Sequence, residues 1–107
     1  MKVLKITGRM SVKRLRKELY EKEGLRIRVY TSATNSEIAS DDSTLRKVSF
    51  MRIPTSFIEL RGNMLVDNFE KLFLERFGVR IEVLGKDGEA VSKDLSLNKA
   101  NLKEQVV

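Results

Sequence analysis

Residues 8–30, GRMSVKRLRKELYEKEGLRIRVY, laid without gaps over residues 62–84, GNMLVDNFEKLFLERFGVRIEVL, match at nine of 23 positions. Unrelated stretches of that length would share roughly one or two residues, so the chain contains a duplication. The agreement extends beyond identity. Leu15 falls on Phe69, Leu19 on Phe73 and Leu25 on Val79, and upstream Leu4 and Ile6 fall on Ile58 and Leu60. Downstream, Asp42-Ser43-Thr44-Leu45 answers Asp94-Leu95-Ser96-Leu97 after a two-residue difference in length. What one copy does locally the other must do too, and a unit of roughly fifty residues struggles to bury a core alone. The 107-residue chain is therefore expected to be one domain built from two repeats, at about 1–48 and 56–100.

Each copy carries the same local signals. Polar and apolar residues alternate over Val3–Thr7 and Phe57–Arg61, a strand pattern that turns Leu4 and Ile6, or Ile58 and Leu60, inward. After a glycine turn, Val12, Leu15 and Leu19 in one copy and Val66, Phe69, Phe73 and Phe77 in the other recur at helical spacing. Both helices should stop at a glycine, Gly24 or Gly78, which suits the left-handed position after a helix end. A second strand follows, with Leu25, Ile27 and Val29 matching Val79, Ile81 and Val83. Lys86-Asp87-Gly88 reads as a hairpin turn into a short third strand at Glu89-Ala90-Val91, with Glu37 to Ala39 its counterpart. The only proline, Pro54, sits in the connector between the copies.

Two tandem βαβ(β) repeats predict an α+β fold in which one antiparallel sheet carries two helices on one face, the ferredoxin-like arrangement. A ubiquitin-like β-grasp variant is the alternative, since helix, strand, short strand and then D-x-T-L follow its second half. The β-hairpin that should precede its helix is missing here.

The run from Gly8, Met10 and Val12 through a glycine-ended helix, Ile27-Arg28-Val29-Tyr30 and Asp41 to Leu45, and then Arg61 to Met64, resembles a family of small uncharacterised bacterial proteins. The resemblance covers nearly the whole chain. It implies a bacterial origin and supplies no substrate, cofactor or active site.

The chain has no cysteine and no histidine. That removes disulfides, Ser-His and Cys-His nucleophile systems and any zinc site made of thiolate or imidazole. Asp41-Asp42 with Thr44, and Asp94 with Ser96, read as turns or helix caps, and no calcium-loop spacing is present. No catalytic residue, metal ligand or cofactor site is assigned, and the protein is expected not to be an enzyme. No signal peptide or membrane-length apolar run is visible in the sequence, so the chain is expected to be cytoplasmic and not membrane-bound.

Charge separates the copies. Residues 1–54 hold 13 Lys and Arg against 6 Asp and Glu, net +7, while residues 55–107 hold 8 against 9, net −1. Lys13, Arg14 and Arg16 stand where the second copy has Asp67, Asn68 and Glu70. The helix dipole favours acids at the N-terminal end by roughly 0.3–1 kcal/mol each. The first helix inverts that order, so its basic run is not explained by helix stability. Lys13, Arg16, Lys17 and Tyr20 fall to one side of the apolar stripe, with Arg9 from the preceding turn, and form the candidate partner-binding residues. A second candidate surface is the outward face of the expected sheet: Lys5, Arg26, Arg28, Tyr30, Phe57, Arg61 and Arg80.

From these features the expected function is a small non-catalytic protein-interaction module. Its partner would present an acidic surface, or be a second copy joined in a homodimer through the open sheet. The alternative is a nucleic-acid-binding domain that uses the basic first helix or the sheet face.

Overall fold

The computed structural model describes residues 2–32, 34 and 36–103. Alternation makes β1 at Lys2–Ile6 and β3 at Ser56–Leu60, and the 3.6-residue pattern makes α1 at Val12–Glu23 and α3 at Val66–Phe77. The second strands are β2 at Arg26–Val29 and β4 at Ile81–Leu84, and single turns of helix close each copy, α2 at Leu45–Val48 and α4 at Leu97–Ala100. Both long helices end on a left-handed glycine, Gly24 at φ 63° and Gly78 at φ 66°, as the sequence predicts. The expected third strands are reduced to single bridges, Tyr30 with Ile38 and Leu84 with Ala90.

The single ferredoxin-like sheet is not formed. β1 pairs with β3, but β2 pairs with β4, giving two separate two-stranded antiparallel sheets. A ferredoxin-like sheet needs β2 beside β3 and β4 beside β1. That would take a compact return from β2 to β3. Residues 37–39 instead fold back onto the outer edge of β2, where the Ala39 N–H donates to the Val29 carbonyl at 2.8 Å, and α2 follows. Residues 89–91 take the same edge of β4, with Val91 N–H on the Val83 carbonyl at 3.1 Å. The β-grasp variant, which also rests on one sheet, fails for the same reason.

The register shows how the duplication is used. Leu4 faces Ile58, its own equivalent in the other copy, and Arg28 faces its equivalent Glu82. A pseudo-twofold axis therefore passes through the middle of both ribbons, and every ladder pairing between named strands joins one copy to the other. A two-stranded ribbon is marginal by itself. These two are held because Leu4, Ile6, Ile58 and Leu60 from one, and Ile27, Val29, Ile81 and Val83 from the other, enter one core with Leu15, Leu19, Phe69 and Phe73.

The helix ends are exchanged in the same way. The Leu102 N–H donates to the Gly24 carbonyl at 2.8 Å, and the Phe50 N–H to the Gly78 carbonyl at 3.1 Å. A Cβ at Gly24 would collide with the Asn101 side chain, and one at Gly78 with Met51 and Ser49, so both glycines are required by packing as well as by φ.

Candidate functional site

Val12, Leu15 and Leu19 bury the core stripe of α1, which leaves Lys13, Arg16, Lys17 and Tyr20 as the next stripe around the helix, at spacings of three and four residues. This stripe overhangs the outer edge of β2. Together with Arg26, Ile27 and Leu102 it lines a groove of about 450 Å3, the last residue arriving from the second copy. Four of the five residues expected from the first helix thus share one wall. Arg9 lies in the turn before α1 and is not part of the lining. A smaller space of about 230 Å3 continues the groove along β2, bounded by Arg16, Arg26, Ile27, Val29 and Ile38 among others.

Lys13, Arg16, Lys17 and Arg26 bring four cations to the 450 Å3 groove, and no carboxylate lines it. Arg16 reaches out of it to Asp41, Nη1 to Oδ1 at 2.8 Å, a half-exposed pair of small net worth. Asp41 and Asp42 lie in a turn, and Ser96 caps α4 by accepting from the Lys99 N–H at 3.2 Å, so the Asp-Ser/Thr segments serve local structure. Tyr20 is 44% exposed, and the Lys103 ammonium sits 5.0 Å from its ring centre while donating to the Glu21 carbonyl at 3.0 Å.

The equivalent groove of the second copy, about 280 Å3, is lined by Asp67, Glu70, Lys71, Arg80, Glu82 and Lys93, with Leu74 and Ile81. Three carboxylates there oppose three cations. Even the ion pair is reversed: Glu70 binds Lys93 at 2.5 Å where the first copy has Arg16 on Asp41.

The second candidate surface is divided, because there is no common sheet. Lys5, Phe57 and Arg61 belong to the β1–β3 ribbon and its end, where Phe57 is 63% exposed, the Lys5 ammonium lies 6.0 Å from its ring, and Arg61 pairs with Glu59 at 3.0 Å. Arg26, Arg28, Tyr30 and Arg80 belong to the β2–β4 ribbon and the residues beside it.

Tyr30 is not the exposed stacking residue expected. It is buried, with Arg80 4.4 Å over its ring and its hydroxyl donating to Glu82 Oε1 at 2.7 Å. Arg28 donates to the same oxygen at 3.3 Å and to the Gly88 carbonyl at 3.2 Å. The hydrogen bond with Tyr30, and the nearby charges of Glu82 and Glu89, raise the Arg28 pKa above its ordinary value against a lowering by desolvation, so this cation does not titrate in any ordinary pH range. Removing the hydroxyl by Tyr30→Phe is expected to cost about 0.5–1.5 kcal/mol in chemical denaturation, a loss that a solvent-facing ring would not produce.

Among the described residues no three His, Cys, Asp or Glu side chains converge on a possible metal position, and no helix is long and apolar enough to cross a membrane. No family model, no curated protein and no solved structure matches the chain.

Proposed function

We propose that the protein is a non-catalytic interaction module of the cytoplasm whose α1–β2 groove receives an acidic segment of a protein partner. The observation that carries this reading is the contrast between two equivalent grooves. The two copies share backbone and core, and only the first has a wall of four cations with no lining carboxylate. Arg16 is paired with Asp41, and the like charges that remain on this wall repel one another, so they oppose the folded state unless an anion answers them.

A nucleic acid is the second reading, favoured by the same cations and by the half-exposed Tyr20. Against it, one face of that ring is already held by Lys103. Base stacking on an open aromatic is the usual source of affinity for single strands beyond phosphate attraction.

The test is a charge change on the groove wall, Lys13→Asp with Lys17→Gln, which takes the four lining cations from +4 to +1. Both positions are exposed, so stability should stay within about 0.5 kcal/mol of the parent. Binding of a fluorescent polyglutamate probe should weaken at least tenfold at low salt, mostly through slower association. Equal binding by parent and variant would remove the groove as the receptor. A single-stranded oligonucleotide bound more tightly than the polyglutamate, and lost in the same variant, would favour the second reading.

A further inference from the structure

The two ribbons treat their outward faces differently. On β2–β4 the facing side chains are matched: Arg28 sits against Glu82 at 3.3 Å, and Tyr30 is buried with Arg80 over its ring. On β1–β3 they are mismatched. Val3 lies opposite Glu59 and Lys5 opposite Phe57, while Leu4, Ile6, Ile58 and Leu60 turn to the core. Val3 is 48% exposed and Phe57 63%, the highest value for a large apolar side chain among the described residues. Opposite pairs stabilise a ribbon when both are apolar or when their charges oppose, and an apolar side chain facing a charged one does neither. Arg61 answers Glu59 at 3.0 Å, an exposed pair of small net worth.

The four residues stand at the corners of a rectangle. Val3 and Lys5 lie along β1, and Glu59 and Phe57 lie across from them on β3, so the apolar pair occupies one diagonal and the charged pair the other. A twofold dimer formed face to face needs its axis in the plane of that rectangle. An axis parallel to the strands would lay Val3 on Glu59 of the other copy. An axis across the strands would lay Val3 on Lys5 and Phe57 on Glu59. Rotation about the charged diagonal sets Lys5 on Lys5. Rotation about the apolar diagonal sets Val3 on Val3 and Phe57 on Phe57, and brings each Lys5 over Glu59 of the other copy. Only this last choice matches every pair.

We infer that the outward face of β1–β3 binds a second copy of this chain about the Val3–Phe57 diagonal. The strands of the two copies then cross steeply, as in the orthogonal class of sheet packing. Val3 and Phe57 form an apolar centre, and two Lys5–Glu59 contacts make a charged rim. No residue lining the α1–β2 groove belongs to β1 or β3, so this dimer is independent of the acidic-partner reading and carries two such grooves. The face is small, below the roughly 1,200 Å2 of stable complexes, so a dissociation constant on the order of 10–100 µM is expected.

The test is sedimentation equilibrium of the full chain at low salt, over concentrations that bracket that constant. In the dimer Lys5→Glu sets carboxylate on carboxylate and Glu59→Lys sets ammonium on ammonium, so either change should raise the dissociation constant at least about tenfold. An equimolar mixture of the two variants opposes unlike charges at both contacts and should dimerise about as well as the parent. So should the double variant. Phe57→Ser removes the centre and should leave a folded monomer, since that side chain is exposed.

A parent that stays monomeric throughout overturns the inference. Dimerisation that survives Phe57→Ser places the contact elsewhere and overturns it too. Single charge variants that dimerise like the parent, or a mixture that stays monomeric, rule out this axis. Amide NMR of the unsubstituted chain checks the same point: raising the concentration should shift the amides of β1 and β3. Shifts confined to α1 and Arg26 would assign self-association to the groove and overturn the inference.

Discussion

Replacing Phe73 by alanine is expected to destabilise the protein by about 3–5 kcal/mol, a large share of the roughly 5–15 kcal/mol available to a domain of this size. Phe73 is fully buried at the middle of an aromatic ladder, with ring centres 5.2 Å from Phe69 and 5.3 Å from Phe77, both edge-on. Its loss removes two aromatic pairs and leaves a cavity in the shared core. Phe73→Leu copies Leu19 of the first repeat and should cost about 1.5 kcal/mol or less, since much of the volume is kept. Denaturant unfolding followed by far-UV circular dichroism measures both. A cost below about 1 kcal/mol for the alanine variant would mean that the ladder is not the core seen here.

Fragment 1–54 is expected not to fold alone, and neither is 55–107, whereas an equimolar mixture should recover cooperative unfolding. The reason lies in the pairing: β1 has its partner in β3 and β2 has its partner in β4, so a separated copy loses every ladder between named strands. Each copy also loses the segment that seals its long helix, Leu102 on Gly24 or Phe50 on Gly78. Self-pairing of the first fragment would put Arg28 opposite Arg28, where the intact protein sets Arg28 against Glu82 at 3.3 Å. Like charges directly opposed in a ribbon are destabilising, which favours the mixed complex over either homodimer. Size-exclusion chromatography with amide exchange would show it. A stable, protected fragment 1–54 would contradict the interlocked arrangement.

The elements themselves are legible because their causes are local. Val12, Leu15 and Leu19 at helical spacing, and Leu4 with Ile6 at alternate positions, state which face is buried whatever lies opposite. Gly24 and Gly78 state where each helix stops. The stripe of Lys13, Arg16, Lys17 and Tyr20 follows from the same periodicity, which is why four candidate residues arrive on one groove wall. Arg26 joins them through a neighbour relation that the helical pattern does not contain, between α1 and the edge of β2. Leu102 comes from still farther away, at the end of the other copy.

By itself the sequence determined the duplication, the strand–helix–strand order of each copy and the buried face of those elements, because they depend on residue spacing and intrinsic backbone preference; the single turns α2 and α4, which follow the bridges where the spacing predicts third strands, were not among them. It also set the uneven charge of the two copies. Only the tertiary structure decided which strand pairs with which. An alternating strand has the same apolar face whether its neighbour is β3 or β4, and its hydrogen-bonding groups are the same at every edge, so pairing is chosen by the folding back of residues 37–39 and 89–91 and by the closing of one core around a pseudo-twofold axis. That choice separated Tyr30 from Phe57 and buried Tyr30 against Glu82. It also set Arg16, from a basic helix, beside β2 where Glu70 caps the edge of β4.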